Sequence, residues 1–245
     1  MANPWFSAFK PEELTEIADR TGKKLIYFEY DGILFPPFPG IDKRLSALPS
    51  FLEEMTIYAH QDFVKRKCKD CVLIRNPKDA YVSFFNHTRS IKPYYSYDGE
   101  WSDYFELAIQ GKTETNLWFD YVDAWDKFFK DHPELPVLTL YYEESKQDLL
   151  TTVKKLSSFI GVNLTEDVSK EIALACSFSQ MKTAKVKAYP KEHLFIWDKG
   201  EYTMYRKGVA GDWKNYFTVA QNERFNALYK ERMKNSKHYN RYLDQ

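Results

Sequence analysis

An α/β fold with a largely parallel sheet is predicted for this 245-residue chain, and three observations carry the prediction. Short buried-type apolar runs, "CVLIR" and "LPVLTLYY", are each followed at once by a helical stretch. Between them lie amphipathic segments, "WSDYFELAIQGK" and "NLWFDYVDAWDKFFKDH". Strands alternating with helices in this way bury a parallel sheet between helical layers. No internal repeat, low-complexity tract or linker divides the sequence, so one domain spanning residues 1–245 is expected.

The elements follow in chain order. "PEELTEIAD", residues 11–19, suits a short helix with early acids, and "KKLIYFEYDGILFPPFPG" suits a hairpin-like strand pair around Asp31-Gly32 that ends in prolines. Residues 41–67 show helical periodicity interrupted by Pro49. "CVLIR" reads as a strand feeding directly into a helix N-terminus, where Asn76 can cap, Pro77 fits the first helical position and Asp79 lies in the first turn. Residues 90–100 form an aromatic, proline-containing loop before the two amphipathic helices. "LPVLTLYYEE" is the second strand, and "SKQDLLTTVKKLSSFIG" is a helix ended by Gly161. Thr165 can cap "EDVSKEIALACS", and "TVAQNERFNALYKERMK" makes a charged final helix.

Composition bounds the function. Lysine plus arginine equals aspartate plus glutamate, 35 each, so no field attracts nucleic acid or an acidic membrane indiscriminately, and basic chemistry must be local. No apolar run reaches the roughly 20 residues of a membrane span. Three cysteines point to a reducing, cytoplasmic setting rather than a disulfide framework. Cys68 and Cys71 form a lone CxxC inside a predicted strand, without a second pair at zinc spacing, so no metal is expected. The 18 tyrosines and 18 phenylalanines suggest a ring-filled core or an aromatic pocket. Tyr94, Tyr95, Tyr97 and Trp101 suit either role.

Ligands of open α/β sheets gather at the carboxyl ends of strands, where helix N-termini favour anions. In "VLIRNPKDAYVS" Arg75 ends the strand and Ser83 lies about two turns into the helix, so a phosphate there could take a guanidinium and a hydroxyl. An arginine paired with a nearby carboxylate explains the same residues equally well. A second basic site follows in "RKGVAGDWKNYFTVAQNE", where Arg206 and Lys207 precede Gly208. That stretch is either a solvated turn or an anion clamp.

The order of "RNPKDAYVSFF", "LYYEESKQDL" with "SFIG", "SFSQMK", "RKGVAGDWKNYFTVAQNERF" and "YKERMKNS" resembles the cytosolic sulfotransferases over about residues 60–235. "YFEYDGILFPPF" more weakly resembles the lead-in region of arthropod members. The resemblance implies a P-loop-NTPase-like parallel sheet flanked by helices. It also implies transfer of a sulfuryl group from 3'-phosphoadenosine 5'-phosphosulfate (PAPS) to a hydroxyl or amine of a small acceptor. It makes Arg75, Ser83, Arg206, Lys207 and Gly208 ligands of the cofactor's 3'-phosphate. Tyr142 reaches the nucleotide, Phe178 packs on adenine, and Cys176, Ser177 and Met181 line the same site, with Cys176 where the family commonly has threonine. Lys214, Thr218, Val219 and Glu223 match a short homodimer motif. Lysine of one chain would meet glutamate of the other.

The sequence departs from the family at two motifs. The phosphosulfate loop of the type Tyr-Pro-Lys-Ser-Gly-Thr-Thr-Trp does not occur, and Gly22-Lys23 lacks the remainder of a P-loop. The Lys-Thr-His-Leu-Pro motif carrying the catalytic base is also missing. His60, in unmatched flanks, reads more readily as a surface or packing residue than as a substitute base, and His87 reads as structural or pocket-lining. The expected fold then lacks one core strand-loop-helix unit, residues 1–60 are atypical, and no catalytic residue is assigned. An inactive relative that binds adenosine 3',5'-bisphosphate (PAP), or pairs with a full-length relative, is the alternative.

Overall fold

The structure is a computed structural model describing residues 15–30, 33–35, 69–91, 95, 97–113, 117–243 and 245. Strands β4 (Asp70–Ile74) and β5 (Val137–Tyr141) pair in parallel, from Asp70 opposite Val137 to Ile74 opposite Tyr141. Val72 and Ile74 alternate inward along β4, the period of a strand with one face on the core. Three helices cross between the strands: α1 (Pro77–Ser90), α2 (Trp101–Ala108) and α3 (Trp118–Asp131). The expected α/β architecture with a parallel sheet and flanking helices is therefore present.

The start of α1 follows its sequence signals. Asn76 Oδ1 accepts the Lys78 N–H at 2.9 Å, Pro77 occupies the first turn where its missing N–H costs nothing, and Asp79 faces the positive helix end. After β5 the chain enters α4 (Tyr142–Gln147) without a loop. The single helix expected there is two, because Asp148 accepts the Thr151 N–H at 2.9 Å and starts α5 (Leu149–Ile160) afresh. Gly161, at φ 86°, ends α5. Thr165 caps α6 (Glu166–Ala175), which the sequence predicts, whereas α7 (Phe178–Ala188) had no start signal beyond Ser177. Short 3-10 turns at Lys191–Ile196, Asp198–Gly200 and Asp212–Asn215 lead to α8 (Val219–Met233), where Thr218 and Gln221 cap one another's backbone, and to α9 (Tyr239–Tyr242).

One expectation is overturned. Thr15–Ala18, read as part of a helix, is strand β1, paired antiparallel with β2 (Lys24–Tyr30) from Thr15 opposite Tyr27 to Ala18 opposite Lys24. Early acids are a weak local preference, and the partner strand overrides it. The turn is fixed by Asp19, whose carboxylate accepts the Thr21 N–H, the Thr21 hydroxyl and the Lys23 N–H. The expected hairpin around Asp31-Gly32 is present: β3 (Ile33–Phe35) pairs antiparallel with β2, Tyr30 opposite Ile33. His60, Cys68, Tyr94 and the helical reading of 41–67 lie outside the described residues.

Rings fill the core between α1, α2, α3 and α8. Phe85 meets Trp101 edge-on at 5.5 Å, Trp101 meets Phe217 at 5.1 Å, and Phe225 lies against Tyr81 and Phe119 at 5.8 Å each. Such pairs add about 1 kcal/mol each beyond their buried area. Tyr95, Tyr97 and Trp101 are buried here, so the aromatic loop mainly packs against the body. Its Tyr97 hydroxyl donates to Asp19 at 3.0 Å, tying the antiparallel strands to α2 together with an Arg20–Asp103 ion pair. Among the described residues no helix is long and apolar enough to cross a membrane.

Candidate functional site

Beyond their last paired residues, Ile74 and Tyr141, the parallel strands release Arg75 and Tyr142 side by side. The Arg75 guanidinium lies over the Tyr142 ring, 4.4 Å from its centre. Stacking on a ring leaves the planar N–H groups at the guanidinium edge for an anion. Arg75 Nε is buried without a hydrogen-bond partner. An orphaned donor of this kind is costly, and an acceptor from a ligand would relieve it.

Arg75 opens onto a cleft of about 740 Å³ that Ser83 and Arg206 also line. Thr203 joins them with a buried hydroxyl that lacks a hydrogen-bond partner. Three of the residues predicted to hold the 3'-phosphate thus converge on one space although up to 131 positions separate them. Farther along, the walls are mixed: His87, Tyr97 and Phe84 with Asp98, Asp198 and Glu201. Burial holds the His87 imidazole below its ordinary pKa, so it is neutral near pH 7. Of the structural and pocket-lining places expected for it, His87 has both: it lines the cleft, and its ring meets buried Tyr95 edge-on at 5.7 Å.

Two buried carboxylates position the basic stretch. Asp79 in the first turn of α1 accepts the Gly211 N–H at 2.6 Å and the Trp213 N–H at 2.9 Å, pinning the loop to the helix. Asp212 gathers both cations, Arg206 Nη2 at 2.7 Å and Lys207 Nζ at 2.7 Å, and accepts from Asn215 at 2.8 Å. Burial works to raise the Asp212 pKa, but the hydrogen bonds from Lys207, Asn215 and Arg206 prevail and hold it at about 2. The guanidinium of Arg206 has five N–H donors, so the contact with Asp212 leaves most of its edge available. Asp79 and Asp212 were not singled out as site residues. Only the first-turn position of Asp79 was visible locally, since its partners lie 132 and 134 residues away.

Gly208 explains itself by contact. Its φ is +64°, and a Cβ there would stand 2.0 Å from Phe178 Cδ2. The loop therefore rests directly on the Phe178 ring, over which the Lys146 ammonium also lies at 5.0 Å. Phe178 is joined to the clamp in this way. The remaining predicted ligands are not drawn into the cleft: Lys207 is half-exposed and paired with Asp212, Cys176 is exposed at the end of α6, Ser177 starts α7 and approaches only Ser179 Oγ at 3.5 Å, and Met181 is half-buried.

The expected dimer residues sit at the entry to α8. Thr218 is its cap, Val219 is 76% exposed, Lys214 and Glu223 are exposed, and the Lys214 ammonium lies 5.7 Å from the Trp213 ring centre.

The molecule is thus an α/β protein with a parallel strand pair, in which two guanidinium groups and a hydroxyl line one cleft beside the end of β4. The chain belongs to the sulfotransferase family: the model of the sulfotransferase domain matches residues 43–237. It is 37% identical over 175 residues to dog (Canis lupus familiaris) sulfotransferase 1B1, a match covering 71% of this chain and 57% of the relative. To rat (Rattus norvegicus) sulfotransferase 1C2 it is 36% identical over 203 residues, covering 81% of this chain and 67% of the relative. The chain thus spans little more than half to two thirds of these relatives' length. Among solved structures, mouse sulfotransferase SULT7A1 complexed with PAP matches with a TM-score of 0.61 and 32% identity, over 74% of this chain and 63% of the mouse one. Retinol dehydratase in complex with androsterone and PAP matches with a TM-score of 0.59 and 25% identity, over 68% and 48%.

Proposed function

We propose that this chain grips the 3'-phosphate of PAPS through Arg75, Ser83 and Arg206 and serves transfer of the sulfuryl group to a hydroxyl or amine of a small acceptor. The observation that carries the proposal is the shared cleft, with the Arg75 Nε buried and unpartnered inside it. Support comes from the PAP named with mouse SULT7A1 and with retinol dehydratase. PAPS, when bound, supplies an activated sulfuryl group. The chain's own residues would do the holding: two guanidinium groups offset the phosphate charge, Ser83 donates its hydroxyl, Tyr142 backs Arg75, and Phe178 offers its ring to adenine while Gly208 rests on it. Cys176 at the end of α6, with Ser177 and Met181 at the start and in the first turn of α7, would complete the nucleotide site, and Lys207 holds Asp212 in place of a direct role. His87 and Tyr97 would line the acceptor end of the cleft.

Two measurements test the reading. Calorimetric titration with PAP should show binding that Arg206→Ala weakens by about tenfold or more, the worth of one charge-assisted hydrogen bond; equal affinity in the two proteins defeats it. Sulfate transfer from labelled PAPS across phenolic and amine acceptors should exceed a heat-killed control. A second reading is a nucleotide-binding member that does not turn over, and the sequence favours it by lacking both the phosphosulfate loop and the histidine motif. PAP binding without any transfer would select it. For either reading we propose a homodimer through Lys214, Thr218, Val219 and Glu223, which sedimentation of Glu223→Lys should convert to monomer.

A further inference from the structure

Glu143 is the residue whose surroundings the nucleotide site leaves unexplained. Its neighbour Tyr142 backs Arg75, yet Glu143 itself faces two other parts of the chain. Oε1 accepts the backbone N–H of Asn76 at 2.8 Å, and Oε2 accepts the Tyr242 hydroxyl at 2.9 Å. Asn76 follows Arg75, just as Glu143 follows Tyr142. One carboxylate therefore spans the first residues after the stacked pair, at the point where both strands have run out of ladder hydrogen bonds.

The third participant is anchored as well. Tyr242 is buried on α9, with its ring edge-on to Trp118 at 6.3 Å. Burial, and after it the charge of Glu143 and the hydrogen bond to it, push its phenol above the ordinary range, so it remains a donor. Beside it Arg241 pairs with Glu144 at 2.6 Å and lies over the Tyr141 ring at 4.1 Å. Arg241, Tyr242 and Gln245 thus meet the strand ends at Tyr141, Glu143, Glu144 and Asn76.

We propose that Glu143, held by Tyr242, is a positioning residue for the phosphate clamp: it locks the Asn76 backbone to the β5–α4 junction and so fixes the Arg75 guanidinium over Tyr142. The proposal rests on the half-site reading given above. Without the carboxylate, the Asn76 N–H loses its acceptor, and the Arg75–Tyr142 ring contact keeps only the indirect support of the C-terminal residues, through Gln245 on Asn76 and Arg241 on Glu144. Arg75 then samples several orientations, and each bound anion must order it afresh.

The test is calorimetric titration with PAP of Glu143→Ala, Glu143→Gln and Tyr242→Phe, each in the native background and in an Arg75→Gln background. Glu143→Ala should weaken binding about tenfold, Tyr242→Phe about threefold, and Glu143→Gln, whose amide oxygen still accepts from Asn76, by less than Tyr242→Phe. In the Arg75→Gln background these losses should vanish, because residues acting through one group are not additive. Losses that persist undiminished without Arg75, or wild-type affinity in Glu143→Ala, overturn the positioning role. Tyr242→Phe keeps the test alive if Glu143→Ala does not fold. An unmutated chain that ignores PAP, or in which Arg206→Ala has no effect, sinks the half-site reading itself, an outcome distinct from the other two.

Discussion

The Arg75–Arg206 side and the Phe178 side of the candidate site are built differently. On the arginine side carboxylates fix the frame: Asp79 pins the loop, Asp212 gathers Arg206 and Lys207, and Glu143 ties the Asn76 backbone next to Arg75. On the Phe178 side, Cys176 is exposed, Ser177 makes no side-chain cap, and the main fixed point is Gly208 pressed on Phe178. Charge accounts for the difference. A guanidinium left to swing pays ordering entropy on each binding event, whereas a ring against a flat apolar base tolerates small displacements.

The largest break of that contrast should come from Asp79→Ala. It orphans two backbone N–H groups in a buried place, at about 3 kcal/mol in all, and frees the loop that bears Arg206. The urea midpoint should fall and PAP binding should be lost; a variant of unchanged midpoint means that the loop is held elsewhere. Gly208→Ala comes next, at about 2 kcal/mol for the left-handed φ and the collision with Phe178. Its diagnostic sign is weaker PAP binding with Arg206 intact, and normal binding would show that ring and loop move apart freely.

A smaller effect separates the two sides by pH. The Asp212 carboxyl, at 3.8 unfolded, is held at about 2 in the fold, so its stabilisation is complete above the unfolded value and is lost as pH falls toward 2. Unfolding curves of the native chain and Asp212→Asn should therefore converge as the solution is acidified from pH 5 to 2. Parallel curves would deny Asp212 its role as anchor. The smallest change expected is Cys176→Thr, an exposed position on the Phe178 side, within about 0.5 kcal/mol of native stability. A substantially larger loss in thermal unfolding would show that side to be as tightly set as the other.

How far the sequence could be read depends on the range of the interaction. The Asn76-Pro77 start, the Thr165 cap, the stop at Gly161 and the pairing of the strands on either side of Asp31-Gly32 each rest on neighbours a few residues apart, and all are where the sequence placed them. β1 was misread because its partner strand, not its own acids, decides its conformation. Asp148 was overlooked inside a continuous helical pattern because an aspartate within such a pattern resembles surface charge, yet it is the cap that divides α4 from α5. At the site, Arg75, Ser83 and Arg206 were legible by type and motif. Asp79, Asp212 and Glu143 were not, since their work is to hold segments that are distant in the chain.

That distance has a bearing on how the protein comes into being. The Asp79 carboxylate meets its partners across 132 and 134 residues, and Asn76 meets Gln245 across 169. A ribosome adding roughly 5–20 residues each second leaves α1 waiting many seconds for the loop that completes it. Over that interval Lys78 and Asp79, both buried at the end, face solvent at a helix start with neither ring nor backbone to meet them. Closure of the clamp is therefore among the last steps of folding, governed by long-range loop closure rather than by helix formation. An anion at the α1 N-terminus during that wait would act as a template, so PAP added to a refolding reaction should shorten its slowest phase.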